Sequence, residues 1–294
     1  MAAGQGRDGS SRRDFLRSAL RAGSRGAAVA AASCAGIPLI GSADGGSFDH
    51  RHRDWTDLLA RHVVTSDGAR ASRLRYAGMA TDRAALRSYG ATLSAVSRQA
   101  FDGWSPAQQM AFLINAYNAY TVERVLTRYP DLASIKDLGS LLSSPWKARF
   151  VPLLGQTLSL DDIEHGRLRE RGRYDDWRIH FAVNCASVGC PMLREEAFTA
   201  DRLDDQLDDQ ERRFVGDRRS NRYDVPGRRL AVSKIFDWYA EDFRLGHRGV
   251  TSVPAFFARH ADRLADSPAD RERIRSAQAP IAFLDYDWAL NDSR

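Results

Sequence analysis

Between residues 105 and 128 the apolar positions stop following a single stripe and close around the whole helical circumference. Ser105, Pro106 and Gln108 form a Ser-x-x-Gln start signal with proline in the first turn, and the run from Phe112 to Tyr120 is apolar on nearly every face. The pattern predicts a central, buried helix. Asn115 and Asn118 fall three apart within it, hence on one face, where each amide needs a hydrogen-bonding partner.

The remaining periodicities are shorter. Helical spacing recurs over 54–64 (Trp55, Leu58, Leu59, His62) and 81–99 (Leu86, Tyr89, Leu93, Val96), with a short strand predicted over 73–79. Residues 146–160 read as a hairpin about Gly155-Gln156, followed by a helix over 160–170 capped by Ser159 and Asp162. Alternation over 178–184 predicts a half-buried strand, with His180, Ala182 and Asn184 on one face and Ile179, Phe181, Val183 and Cys185 on the other. After a small-residue turn, Cys190-Pro191 is expected to open a further helix. An amphipathic helix over 203–214, a hairpin about Pro226-Gly227, helices over 234–243 and 253–264, and a strand over 282–289 complete the chain. Helices and strands mix without regular alternation. The fold class expected is therefore α+β, a single domain with a central buried helix set against a small antiparallel sheet.

The first 43 residues stand apart. Ser11-Arg12-Arg13-Asp14-Phe15-Leu16 is the twin-arginine export pattern, and a weakly apolar run over 26–40 leads to a small-residue cleavage site at Gly41-Ser42-Ala43. Lipidation at Cys34 is disfavoured, because Ala31-Ala32-Ser33 lacks the large aliphatic residue of a lipoprotein signal. This segment carries six arginines against Asp8 and Asp14, so the formal charge of +5 falls to about +1 over 44–294. The basic balance belongs to the leader. No basic stripe with interleaved aromatics remains, which argues against nucleic acid as a partner, and the apolar run is too short and too rich in Ala and Gly for a stable membrane span. A periplasmic or extracellular protein is expected.

Candidate chemistry concentrates in His180–Pro191, which holds both cysteines beyond the leader. At a helix start Cys190 would face orphan backbone N–H groups and the positive end of the helix dipole, which stabilise thiolate. That favours Cys190 over Cys185 as a nucleophile. Two other readings stand beside it: a small Cys185–Cys190 disulfide across the turn, or a metal site joining both cysteines with His165 and His180. His165 lies four residues after Asp161 and three after Asp162, so a carboxylate can hold one imidazole nitrogen. Asn115 and Asn118 either brace a neighbouring backbone or orient a catalytic histidine and donate to an oxyanion. Asp237, Asp242 and the acidic run 204–209 are read as exposed, and His50, His52 and His62 are given no role, the first two lying in a mobile N-terminus.

Taken in order, Phe112-Leu-Ile-Asn-Ala-Tyr-Asn-Ala, Ser159-Leu-Asp-Asp-Ile-Glu-His-Gly, Arg178-Ile-His-Phe-Ala-Val-Asn-Cys-Ala-Ser-Val-Gly-Cys-Pro, Ser233-Lys-Ile-Phe-Asp-Trp-Tyr-Ala-Glu-Asp-Phe and Leu284-Asp-Tyr-Asp-Trp resemble the domain of unknown function 547 family. The resemblance places Asn115, Asn118, His165, His180, Cys185 and Cys190 at motif positions and brings no established activity. A central helix against an antiparallel sheet is also similar to the papain and transglutaminase architecture, although there the cysteine opens the central helix and precedes the histidine. The leading expectation is an exported, thiol-dependent hydrolase or transferase acting on an amide or ester of peptide or cell-envelope material. Cys190 would be its nucleophile, His180 or His165 its base, and Asn115 or Asn118 an orienting or oxyanion group. The alternatives are a non-catalytic envelope binding module stapled by a Cys185–Cys190 disulfide, and a zinc-dependent hydrolase; no other cofactor is expected.

Overall fold

A computed structural model describes residues 48–140 and 143–293. The export segment expected over 1–43, including Cys34, lies outside them. The central helix is α5, Pro106–Leu126, and the elements before it are α1 (Arg53–His62), the β1–β2 hairpin (Val63–Ser66, Ala71–Leu74), α2 (Tyr76–Thr81), α3 (Arg83–Ser94) and α4 (Arg98–Asp102). Its start is fixed as the sequence requires. Ser105 Oγ accepts from the Gln108 N–H at 3.3 Å, and the Gln108 side chain accepts from the Ser105 N–H at 2.9 Å. Phe112, Leu113, Ile114, Ala116 and Tyr117 are all buried, because α1, α3 and α4 cover one side of α5 and the segment after it covers the other.

After α5 come the β3–β4 hairpin (Val151–Leu153, Gln156–Leu158) and α6 (Leu160–Ile163), whose helical path widens into a π turn over Glu164–Leu168. Next are α7 (Ile179–Ala182), α8 (Leu203–Gly216), β5 (Asn221–Asp224), β6 (Arg229–Val232), α9 (Ile235–Trp238), a 3₁₀ turn at Asp242–Arg244, α10 (Val253–Ala258), α11 (Ala261–Leu264), α12 (Pro268–Arg275) and β7 (Ile281–Phe283). β1–β2 and β3–β4 are antiparallel pairs. In the third sheet β5 and β6 are antiparallel, and β7 adds to β6 in parallel. The α+β class holds, with three small sheets among the described residues.

Among the described residues two hydrophobic clusters result. One surrounds α5, while the other is dominated by aromatic rings from α7, α8, α9 and α10, with Phe236 at 4.5 Å from Phe257 and 5.3 Å from Phe256 between ring centroids. The single turn α7 lies where they meet: Ile179 and Ala182 join the first cluster, and Trp177 and Phe181 the second. His180 is carried on that turn.

The strand predicted over 178–184 is a helical turn, in which the Val183 N–H reaches the Ile179 carbonyl at 3.0 Å. Alternation misled because His180 and Asn184 are as buried as their apolar neighbours, so the segment has no solvent face. The strand expected over 73–79 ends at Leu74 and gives way to α2. No helix follows Pro191, and Cys190 is not an N-cap; no helix or strand lies between Ala182 and Leu203. Backbone groups in this loop bond instead to side-chain amides, Gln210 donating to Phe181 O (3.0 Å) and Met192 O (3.1 Å), and Gln206 spanning Ala197 O and Thr199 N (both 2.9 Å).

The acidic run on α8 leaves Asp204 and Asp205 exposed, as expected, but three of its four carboxylates are also ion-paired. Asp204 and Asp208 pair with Arg178 and Arg248, and Asp209 with Arg194 and Arg213. His52 is buried, with Nδ1 2.7 Å from the Tyr89 hydroxyl, and His62 is buried against Asp82, also at 2.7 Å. The strand expected over 282–289 is cut to β7, after which an extended tail continues. That tail bonds through its backbone to Val232, Val188, Ala186, Ala133 and Leu74.

Among the described residues no helix is long and apolar enough to cross a membrane.

Candidate functional site

The π turn after α6 is the local feature from which the site is built. Ser159 and Asp162 cap the helix start reciprocally, at 3.0 and 2.9 Å. One wide turn then lets the Arg169 N–H reach the Glu164 carbonyl five residues back, at 3.0 Å. The π turn carries Glu164 and His165, and Arg169 follows it immediately. All three side chains meet the segment after α9, Glu164 and His165 at Tyr239 and Arg169 at Asp242.

At the centre His180 Nε2 lies 2.7 Å from Asp242 Oδ2. The same carboxylate accepts from Arg169, Nε to Oδ2 at 2.6 Å and Nη2 to Oδ1 at 3.1 Å, and Arg171 stands 3.6 Å away. Arg169 also donates Nη1–H to His165 Nδ1 at 2.7 Å. Tyr239 lies flat on the His180 ring, 3.7 Å between centroids, and donates its hydroxyl to Glu164 Oε1 at 2.6 Å. His180, Glu164, Tyr239 and Asp242 are buried, and His165 and Arg169, beside them, are partly exposed.

Electrostatics follow from this packing. Burial pushes the His180 pKa down and outweighs the opposing hydrogen bond to Asp242, so the imidazole is neutral at neutral pH. Burial alone would push the Asp242 carboxyl up, but the hydrogen bonds from His180 and Arg169 prevail and hold it far below the usual carboxylate range. A neutral imidazole that gives Nε2–H to a carboxylate keeps its lone pair on Nδ1. That atom is buried and has no hydrogen-bond partner among the described residues. The buried cluster therefore holds a neutral, oriented base.

The cysteine loop is a separate constellation. Cys185 and Cys190 are joined by a disulfide, their Cα atoms 6.3 Å apart. Cys190 Sγ accepts from the Cys185 N–H at 2.9 Å and from the Tyr286 hydroxyl at 3.1 Å. In this form Cys190 carries no thiol. Asn184 closes the loop from inside, Nδ2 donating to Pro191 O at 2.8 Å and Oδ1 accepting from Ala186 N at 2.9 Å. Gly189 lies against the tail, donating its N–H to Asp287 O at 2.9 Å.

Both predicted asparagines act on backbone. Asn118 gives Nδ2–H to Ala182 O at 2.9 Å and accepts from Asn184 N at 2.8 Å, while Asn115 makes the same two-way grip on Phe198, at 2.7 and 3.0 Å. Asn118 thus fixes the chain directly after His180. His165 Nε2 is 4.0 Å from Asp161, beyond hydrogen-bonding distance, and its Nδ1 is held by Arg169 instead. The structure joins His165 and His180 through Arg169 and Asp242, and links Asn118 to His180 through three residues of backbone.

Spacing alone does not single out Arg169, Glu164 or Tyr239, and Asp242, expected to be exposed, is buried. Two signals were present. Arg169 follows His165 at helical i+4 spacing, and Asp242 follows Tyr239 at i+3, so each pair shares one helix face. Among the described residues no three or more His, Cys, Asp or Glu side chains group as metal ligands.

No curated protein and no solved structure matches the chain. The match to a family model begins at residue 101 and ends at residue 215, and so leaves Tyr239, Asp242 and Tyr286 outside it. The segment carrying α5, its two asparagines, His165, Arg169, His180 and the paired cysteines matches the family described as protein of unknown function, DUF547.

Proposed function

We propose that the protein is an exported hydrolase or transferase acting on an amide or ester bond of peptide or cell-envelope material, with His180 as its general base. The observation that carries this is the His180–Asp242 pair: one ring nitrogen is fixed on a buried carboxylate and the other is an unpartnered, buried lone pair. In this reading His180 Nδ1 takes a proton from the attacking nucleophile and returns it to the departing amine or alcohol. Asp242 holds the ring and offsets the charge that forms on it. Arg169 keeps Asp242 ionised.

The nucleophile depends on the cysteines. With the disulfide closed, water takes the role. Two equivalents of an external thiol open the disulfide to two cysteine thiols and are themselves oxidised to a disulfide, which frees Cys190 for a thiol-dependent route. The Arg12-Arg13 export pattern and a disulfide, a bond that persists in oxidising compartments, support a place outside the cytoplasm.

A panel of chromogenic esters and amides, assayed with and without reductant, tests the reading. His180→Gln and Asp242→Asn are expected to lower kcat by about 10²-fold or more. A requirement for reductant, with loss in Cys190→Ser, assigns the thiol route, and activity kept in Cys190→Ser assigns water. Full activity in His180→Gln refutes both.

The disulfide itself favours a second reading, a non-catalytic envelope binding module stapled at Cys185–Cys190. Here the Cys185→Ser/Cys190→Ser double variant loses thermal stability but keeps ligand binding, and no member of the panel is turned over.

A further inference from the structure

Away from the His180 site, a cleft of about 630 Å³ lies between the β1–β2 turn, the end of α8, β5 and α11. It is lined by Arg70, Arg218, Arg222 and Arg263, with Tyr223, Asp262 and Asp266. The two carboxylates are already engaged: Asp262 pairs with Arg275 at 2.7 Å and Arg271 at 3.6 Å, and Asp266 with Arg218 at 3.0 Å. Arg218 is further held by the Leu264 carbonyl at 2.8 Å. Among the described residues Arg222 and Arg263 have no carboxylate within ion-pairing distance, and Arg70 has only Asp67, at 3.7 Å on the surface. A Cβ on Gly216 would meet Arg70 Nε at 3.3 Å, so the arginine lies across the glycine backbone at the cleft wall. Positive charge therefore exceeds negative on a concave surface, where field lines concentrate.

A second observation points to a ligand. Tyr223 is 6% exposed, and its hydroxyl is buried with no hydrogen-bond partner among the described residues. An O–H group removed from water without an acceptor is costly, and the two carboxylates that line this cleft, Asp262 and Asp266, are taken up by arginines and do not reach it. What the cleft lacks is a negatively charged acceptor within reach of Tyr223, Arg222 and Arg263. A phosphate monoester supplies one, since its oxygens accept from several guanidinium forks and a phenol at once. The volume exceeds that of a single phosphate and leaves room for the group esterified to it.

We infer that this cleft is a binding site for a phosphate monoester, recognised by Arg70, Arg222 and Arg263 with the Tyr223 hydroxyl as the buried donor. The phosphate can belong to a soluble metabolite or to a lipid headgroup. Calorimetric titration of the full chain at fixed ionic strength tests this with three probes: inorganic phosphate, a sugar phosphate, and vesicles containing phosphatidic acid against vesicles of phosphatidylcholine alone. Saturable binding is expected for at least one. It should weaken about tenfold or more in Arg222→Gln/Arg263→Gln and about three- to tenfold in Tyr223→Phe, with no change in Arg53→Gln, which removes the same charge elsewhere. Preference for the sugar phosphate assigns a soluble ligand, and preference for phosphatidic acid vesicles assigns a headgroup. Should the double variant fail to fold, Arg263→Gln and Tyr223→Phe alone carry the test. Absence of saturable binding to all three probes, binding unchanged in the cleft variants, or an equal loss in Arg53→Gln overturns the assignment.

Discussion

Replacing Asn118 by leucine removes two buried hydrogen bonds at nearly constant volume. Asn118 is 3% exposed and its carboxamide serves Ala182 O and Asn184 N, which are themselves buried and have no alternative access to water. Each backbone group left unsatisfied costs about 1–3 kcal/mol, and the leucine recovers about 1–2 kcal/mol by placing apolar surface in the core. A net loss of about 3 kcal/mol is expected. For a chain of this size that lowers Tm by roughly 6–12 °C. Urea unfolding of the wild type and Asn118→Leu should show a lower midpoint at an unchanged slope. Native-state hydrogen exchange should show the Asn184 amide losing protection in Asn118→Leu, whereas Asn115→Leu, with an equal loss of stability, exposes the Phe198 amide instead. A stability loss below about 1 kcal/mol, or unchanged Asn184 protection, would refute the view that this amide holds the chain beyond His180.

Three further outcomes are expected. His52 has its pKa pushed down to about 4, by burial first and then by the neighbouring His50, from an unfolded value of 6.5. The fold favours the neutral ring, so nothing changes above pH 6.5, and about 3 kcal/mol is lost as pH falls from there to about 4; His52→Asn should flatten that part of a stability–pH curve, and an unchanged slope would exclude His52 as its source. Arg178→Met leaves the buried Asp176, which Arg178 holds at 2.7 Å, with only His247 at 3.4 Å as an ion-pair partner, and should cost about 3–5 kcal/mol in urea unfolding, far more than a surface ion pair. A methyl group on Gly189 would sit 3.0 Å from Asp287 N and 3.1 Å from Asp287 O, so Gly189→Ala should destabilise by about 1–3 kcal/mol and raise exchange at Val188 and Gly189, and a neutral effect would mean the tail shifts freely.

What could be read from the sequence was what is decided locally. Ser105 with Gln108, Ser159 with Asp162, and the turns about Gly155 and Gly227 all carry their partners within a few residues, and each appears where its pattern placed it. The all-round apolar character of 112–120 marked α5 as central, and its two asparagines were legible as polar groups in need of a distant partner. The turn α7 was misread because polarity stands in for exposure only when one face meets water, and Arg178, His180 and Asn184 are all buried. Asp242 was missed for a different reason: its partners Arg169 and His180 lie 73 and 62 residues away, and no local period registers such a meeting. The loop from 183 to 202 combines both difficulties. Its conformation is held by Asn115, Asn118, Gln206 and Gln210, residues whose own helices carry no signal of which distant backbone they grip.

The extended tail after β7 has a consequence in time as well as in space. Leu284 bonds to Val232, Ala289 and Asp287 to the cysteine loop, Leu290 to Ala133, and Asn291 and Ser293 to Leu74. These are among the last of the described residues to leave the ribosome, yet they stitch together four segments made long before them. Until they arrive, the edge of β6, the outer side of the cysteine loop and the end of β2 hold backbone groups bound only to water. Folding during synthesis can assemble the α5 core and the aromatic cluster, but it cannot complete the structure. Cys185 and Cys190 accordingly meet their Tyr286 hydroxyl only after translation has passed it.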